Sequence, residues 1–177
     1  MPPQSALITV MMNAARKASI RLKRDYGEVD QLQVSKKGPA DFVTAADIRT
    51  EKLLREELLR ARPSFGFLME EAGEQLGADT HRRWIIDPID GTTNFVHGIA
   101  QFAISIAAEE NGEITAGLIS TQSARSCFGQ KKAGELISMT AAFGSHPGQR
   151  YRNPFSRRAF HSWAEALRKN MINFCRR

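Results

Sequence analysis

An α+β fold, or a layered α/β/α one, is predicted for this chain by three features of its 177 residues. Two long stretches of helical periodicity come first, several short apolar strands follow, and Asn111-Gly112 sits between two apolar runs as a hairpin turn. No internal repeat organises the sequence.

The elements follow in order. From Ser5 to Lys23, Leu7, Val10, Met11, Ala14, Ala18 and Leu22 recur at three- and four-residue spacing, which predicts an amphipathic helix. A polar break over Asp25 to Asp30 ends it, and after Leu32-Gln33-Val34 the run Lys36-Lys37-Gly38-Pro39 predicts a turn or loop. A second helix is predicted from about Ala45 through Leu53, Leu54, Leu58 and Leu59 until Pro63 stops it, with Arg49, Lys52, Arg55, Glu56 and Arg60 as solvated charges. Phe65 to Met69 and Trp84 to Ile86 are short apolar runs that end abruptly in acids, at Glu70-Glu71 and at Asp87. Phe102 to Ala108 and Ile114 to Ile119 then form the two arms of the hairpin.

Composition narrows the function classes. With 42% hydrophobic and 25% charged residues the chain is close to the globular average, and no apolar run reaches the length of a membrane span. The amino terminus, Met1-Pro2-Pro3-Gln4, lacks a basic region, and Arg16 and Lys17 interrupt the apolar stretch behind it. No signal peptide is therefore expected, and the cytoplasm is the expected location. The two cysteines, Cys127 and Cys175, have neither zinc-finger nor redox spacing. The net charge of +6 is unevenly spread: residues 120–177 carry eleven basic side chains against two acidic ones (+9), and residues 1–119 carry fourteen against seventeen (−3).

The segment that carries chemistry is Asp87-Pro88-Ile89-Asp90-Gly91-Thr92-Thr93-Asn94-Phe95. Two carboxylates three residues apart, with a proline between them, suit a hard divalent cation that takes oxygen ligands, and the Ile89 carbonyl can add another. Gly91 allows close backbone approach, and Thr92 and Thr93 offer hydroxyls and amides to a phosphate at a helix start. Glu70 and Glu71 stand at the end of a neighbouring strand, so four acids would crowd together, an arrangement that needs cations to neutralise it. His97 and the tryptophans read as structural.

This nine-residue string resembles the signature D-P-[IL]-D-G-T-x-N-F of the inositol monophosphatase family, a lithium-sensitive group within the fructose-bisphosphatase-like superfamily. Asp41-Phe42-Val43-Thr44-Ala45-Ala46-Asp47 is similar to its D-x-V-T-x-x-D segment, and Glu70-Glu71 to its acidic pair. The resemblance implies Glu70, Asp87, Asp90 and the Ile89 carbonyl as ligands of two or three Mg²⁺ ions, with inhibition by Li⁺. It implies Gly91, Thr92 and Thr93 as the phosphate-binding positions, and a Thr92–Asp47 couple that orients and deprotonates the attacking water. Asp41 and Asp47 also have a plainer reading, as capping or helix-start carboxylates. The activity implied is hydrolysis of myo-inositol monophosphate or a similar small polyol phosphate. Full-length members can form homodimers.

After Ile119 the family pattern disappears, so the resemblance covers roughly the first two thirds of the chain. The expected organisation is a metal-binding unit over 1–119 and an atypical basic tail over 120–177, poorly ordered, with one helix-like stretch near Ala159 to Ile172. The tail lacks the family's W-D-x-A-A-G-like motif, whose aspartate completes the metal site, so an impaired family remnant is the alternative to an active enzyme. The +9 tail offers a third reading, a nucleic-acid-binding or regulatory protein, but it lacks a stacking-aromatic pattern, so a nucleic-acid partner is not the expectation. Read one base out of frame, the codons from Gly129 to Gly144 permit A-E-K-G-R-G-A-Y-L-N-D-R-R-L-R, with the aspartate forced by Met139-Thr140. That resembles the family's segment after the hairpin, and an out-of-frame tail with exposed apolar surface beneath it is the expectation.

Overall fold

A computed structural model of the chain describes residues 6–32, 39–121, 126–131 and 135–139. Helix α1 (Ala6–Leu32) and helix α2 (Pro39–Ala61) precede strands β1 (Phe65–Met69), β2 (Gly73–Gln75) and β3 (Asp79–Asp90). The short helix α3 (Thr92–Val96) leads to β4 (Ala103–Glu110), β5 (Glu113–Thr121), β6 (Ser126–Lys131) and β7 (Glu135–Met139). The strands form one mixed sheet in the order β2-β1-β3-β4-β5-β6-β7. Only β1 and β3 are parallel; every other neighbouring pair is antiparallel.

Helix α1 continues through the polar break at which it was expected to end. Its buried positions Ile8, Met11, Ala15, Ala18, Leu22 and Val29 keep helical spacing to the end, and Asp25 is buried in the same stripe. The break looks polar in sequence because Asp25 finds its partner on another helix: Arg49 Nη2 donates to Asp25 Oδ2 at 3.2 Å. Helix α2 starts at Pro39, earlier than its apolar periodicity indicates, consistent with the preference of proline for a first helical turn. Of the charges expected to be solvated, Lys52, Glu56 and Arg60 are exposed, whereas Arg49 is half-buried and Arg55 donates to Gln75 Oε1 at 2.9 Å.

The two helices lie on one face of the sheet. Phe67, Met69, Trp84, Ile86, Ile104, Ile106 and Leu118 point into the core they share with Met11, Leu22, Leu54 and Leu58. Leu68, Ile85 and Ala107, of opposite parity, are also buried, which is why these strands read as unbroken apolar runs. The hairpin forms where Asn111-Gly112 placed it, with φ of 52° and 78° at the two turn residues, as a type I′ turn requires. The boundary expected at residue 119 falls inside β5, and β6 and β7 extend the sheet beyond it. The helix-like stretch near Ala159 to Ile172 lies outside the described residues. Among the described residues, the large apolar side chains that stand exposed are Ile20, Ile48, Leu76 and Ile99, well separated along the chain.

Candidate metal centre

Parallel pairing of β1 and β3 builds the first part of the site. Met69 pairs with Ile86, so the next residues, Glu70 and Asp87, stand side by side. Strand β3 does not stop at Asp87, as its apolar run suggests, but continues to Asp90 with a shift in its register against β4 between the two aspartates. Pro88 has no N–H to contribute to the ladder, and the register shift around it leaves Asp90 near enough for its charge to act on Asp87. Ser105 on β4 stands opposite Asp87, and its hydroxyl donates to Asp90 Oδ2 at 3.4 Å.

Helix α2 supplies two more acids from beneath. Asp47 and Glu51, four residues apart, lie on the same buried stripe as Leu54 and Leu58, each only 4% exposed. Glu51 spans the backbone of the acidic pair: Glu71 N donates to its Oε2 at 2.8 Å and Ala72 N to its Oε1 at 3.0 Å. Glu51 therefore holds the loop that presents Glu70. Sequence motifs did not find it, yet an acid at four-residue spacing from Asp47 on the apolar face of a helix is a signal that burial periodicity carries.

These carboxyls perturb one another. Burial, followed by the charges of Glu71, Glu70 and Glu51, raises the Asp47 pKa to about 8. Burial, with the nearby Glu70 and Asp90 and a hydrogen bond to Glu70, raises that of Asp87 to about 9. Glu51 and Glu71 are also raised, chiefly by burial. Asp47 Oδ1 and Asp87 Oδ1 are buried with no hydrogen-bond partner. Two orphaned carboxylate oxygens in an acid-rich pocket of oxygen donors fit a hard divalent cation, whose charge would offset the repulsion. Among the described residues no three acidic, histidine or cysteine side chains are placed so as to hold a metal ion together in this conformation.

Helix α3 opens at Gly91, which has φ 99° and ψ 36°. A side chain there would be strained by that backbone, and its Cβ would come within 3.0 Å of Gln101 O. Thr92 and Thr93 follow as the first two helical residues, half-buried and exposed respectively. Thr92 Oγ1 donates to Ile89 O at 2.9 Å, so the expected Thr92–Asp47 hydrogen bond is not made in this conformation. The preference is local: a hydroxyl at the first helical position reaches the carbonyl three residues back more readily than a side chain on another helix. His97 is exposed at the C-cap of α3, Trp84 is fully buried in the core, and Trp163 lies outside the described residues. Asp41 lies on α2, and its side chain is outside the described residues.

Comparison with known proteins supplies the family. The sequence model of the inositol monophosphatase family matches residues 4–152, so the family match extends past Ile119, where the pattern was expected to end. The chain is 56% identical over 116 residues to an inositol-1-monophosphatase of Rhizobium meliloti, covering 66% of this chain and 44% of that protein. It is 34% identical over 113 residues to the Nus factor SuhB of Escherichia coli, covering 64% of this chain and 42% of that one. Its fold matches the crystal structure of the extragenic suppressor protein suhB from Bartonella henselae with a TM-score of 0.67 and 51% identity, over 76% of this chain and 52% of that one. The chain thus spans about half the length, or less, of the relatives it matches. An acid-lined strand end beside a glycine-opened helix and a family match across most of the sequence lead to one conclusion: this chain belongs to the inositol monophosphatase family.

Proposed function

We propose that the chain carries the metal- and phosphate-binding part of a Mg²⁺-dependent phosphomonoesterase that acts on myo-inositol monophosphate or a similar small polyol phosphate. The observation that carries this reading is the pair of buried, unpartnered oxygens of Asp47 and Asp87 beside Glu70, Asp90 and the Gly91 turn. The name of the Rhizobium meliloti relative supports the substrate class. Glu70, Asp87, Asp90 and the Ile89 carbonyl would hold the cations, in two or three positions, with Li⁺ as an expected inhibitor. Bound there, the cations would lower the pKa of a water and offset charge on the leaving oxygen.

The chain's own residues then have defined tasks. Gly91, Thr92 and Thr93 present backbone N–H groups and hydroxyls to the phosphate oxygens. Thr92 has a single hydroxyl proton, engaged with Ile89 O, and its lone pairs remain able to accept from a water. Handing that proton to Asp47, whose Oδ1 lacks a partner, would require the Thr92 hydroxyl to leave Ile89 O. This change would couple cation binding at the Ile89 carbonyl to activation of the water.

The second reading is a chain that keeps the acidic cluster but does not turn over, favoured by the lack in residues 120–177 of a W-D-x-A-A-G-like motif to supply a further ligand aspartate. Phosphate release from inositol 1-phosphate by the 177-residue chain, with and without Mg²⁺ and beside Asp90→Asn, separates the two. Mg²⁺-dependent turnover that the substitution abolishes supports the enzyme. No turnover above the control, in folded protein, supports the second reading.

A further inference from the structure

We propose that Tyr26 is a positioning residue, which fixes the backbone of the 91–102 segment through its hydroxyl on Gly98 O and its ring on Phe95 and Phe102. Its importance for phosphate binding rests on the function proposed above; its hold on the segment does not. Tyr26 is on α1, outside every motif that carries the family resemblance.

The peptide unit joining Gly98 to Ile99 is held at both of its polar atoms. Tyr26 OH donates to Gly98 O, and Ile99 N donates to Asn94 O at 2.8 Å. Gly98 has φ 69°, a left-handed conformation that glycine enters and leaves easily, so the unit would otherwise be free to flip. A flip would break the Ile99 bond and loosen the turn formed by His97 N on Thr93 O at 3.2 Å and Gly98 N on Phe95 O at 3.2 Å. Those bonds close the helix that begins with Thr92 and Thr93.

The ring acts on the same segment from both sides. Tyr26 meets Phe95 at 5.5 Å and Phe102 at 5.1 Å between ring centroids, and Phe95 meets Phe102 edge-on at 4.8 Å. Phe95 belongs to α3 and Phe102 precedes β4, so the three rings pin the two ends of the connection together. Between them Asn94 Nδ2 donates to Gln101 O at 2.7 Å, the carbonyl that a side chain at Gly91 would crowd.

Tyr26 is itself fixed through its neighbour. Asp25, with its side chain 7% exposed, pairs with Arg49 on α2, and the Arg49 guanidinium lies 5.7 Å from the centre of the Phe42 ring. Arg49 is two residues from Asp47. One turn of α1 therefore refers the carboxylates of α2 and the threonines of α3 to a common frame, and a hydroxyl bonded to a glycine carbonyl acts at a distance from the reacting atoms.

Amide hydrogen exchange of the full chain and of Tyr26→Phe tests this, because the phenylalanine keeps the ring and removes only the hydroxyl. The amides of Gly98, Ile99 and Gln101 are expected to exchange roughly fivefold faster in the variant, the loss of one hydrogen bond, while those of β1 and β3 keep their rates. Titration with inorganic phosphate in the presence of Mg²⁺ should then show an affinity roughly three- to tenfold lower, from lost preorganisation. Unchanged exchange at Gly98 to Gln101, or an equal rise throughout the sheet, overturns the proposal. A wild-type chain that binds no phosphate overturns the proposed function, and exchange still decides the role of Tyr26.

Discussion

At the scale of single residues, Asp47 and Asp87 stand out because the fold buries one oxygen of each without a hydrogen-bond partner. Burial and neighbouring acids raise both, to about 8 and about 9, so the metal-free fold prefers their neutral forms. That contribution to stability is fully present below the ordinary carboxylate pKa near 3.8 and is lost as pH rises toward 8–9. Denaturant midpoints taken with a chelator should therefore fall between pH 5 and 8. Asp47→Asn, which removes the charge and keeps the shape, should raise metal-free stability at pH 7 by about 1–3 kcal/mol and flatten the pH dependence. The same substitution should abolish phosphate release. A variant less stable than wild type under chelation would show that Asp47 is not an electrostatic liability of the metal-free fold.

At the scale of elements, helix α2 controls the acidic loop that follows β1. Glu51 accepts from Glu71 N and Ala72 N, two amides that no strand satisfies. Glu51→Ala leaves both without their acceptor in a partly buried place and should cost about 1–3 kcal/mol by urea unfolding. Because the loop presents Glu70, the variant should also weaken binding of Mn²⁺, followed by electron paramagnetic resonance. Loss of stability without any loss of Mn²⁺ affinity would separate the loop's architecture from the metal centre. Much of this level was legible beforehand: β1 coincides with its apolar run, and the hairpin turn coincides with Asn111-Gly112. The length of α1 was not, because Asp25 and Tyr26 read as a polar break until Arg49 and Gly98 are placed beside them.

At the scale of the whole molecule, α1 and α2 cover one face of the sheet, and the site sits where the parallel pair β1–β3 ends above α2. Leu58, fully buried between the helical layer and the sheet, reports on this packing. Leu58→Ala should cost about 2–5 kcal/mol in denaturant unfolding, the range for a buried leucine whose surroundings relax only in part. A cost below about 1 kcal/mol, typical of surface positions, would mean that α2 is not docked on the sheet as described.

What the sequence determined by itself is local: strands that end in acids, a proline between two aspartates, a glycine before two threonines, a hairpin dipeptide, and from these the family. Each rests on the covalent chemistry or backbone freedom of a few adjacent residues. What only the tertiary structure decided is long-range. The register of β1 against β3 brings Glu70 beside Asp87, the buried stripe of α2 carries Glu51 to the amides of Glu71 and Ala72, and Tyr26 reaches Gly98 from another helix. Such contacts join residues far apart in the chain, and the pKa of a carboxyl depends on what the fold packs around it, so neither can be read from neighbours in sequence.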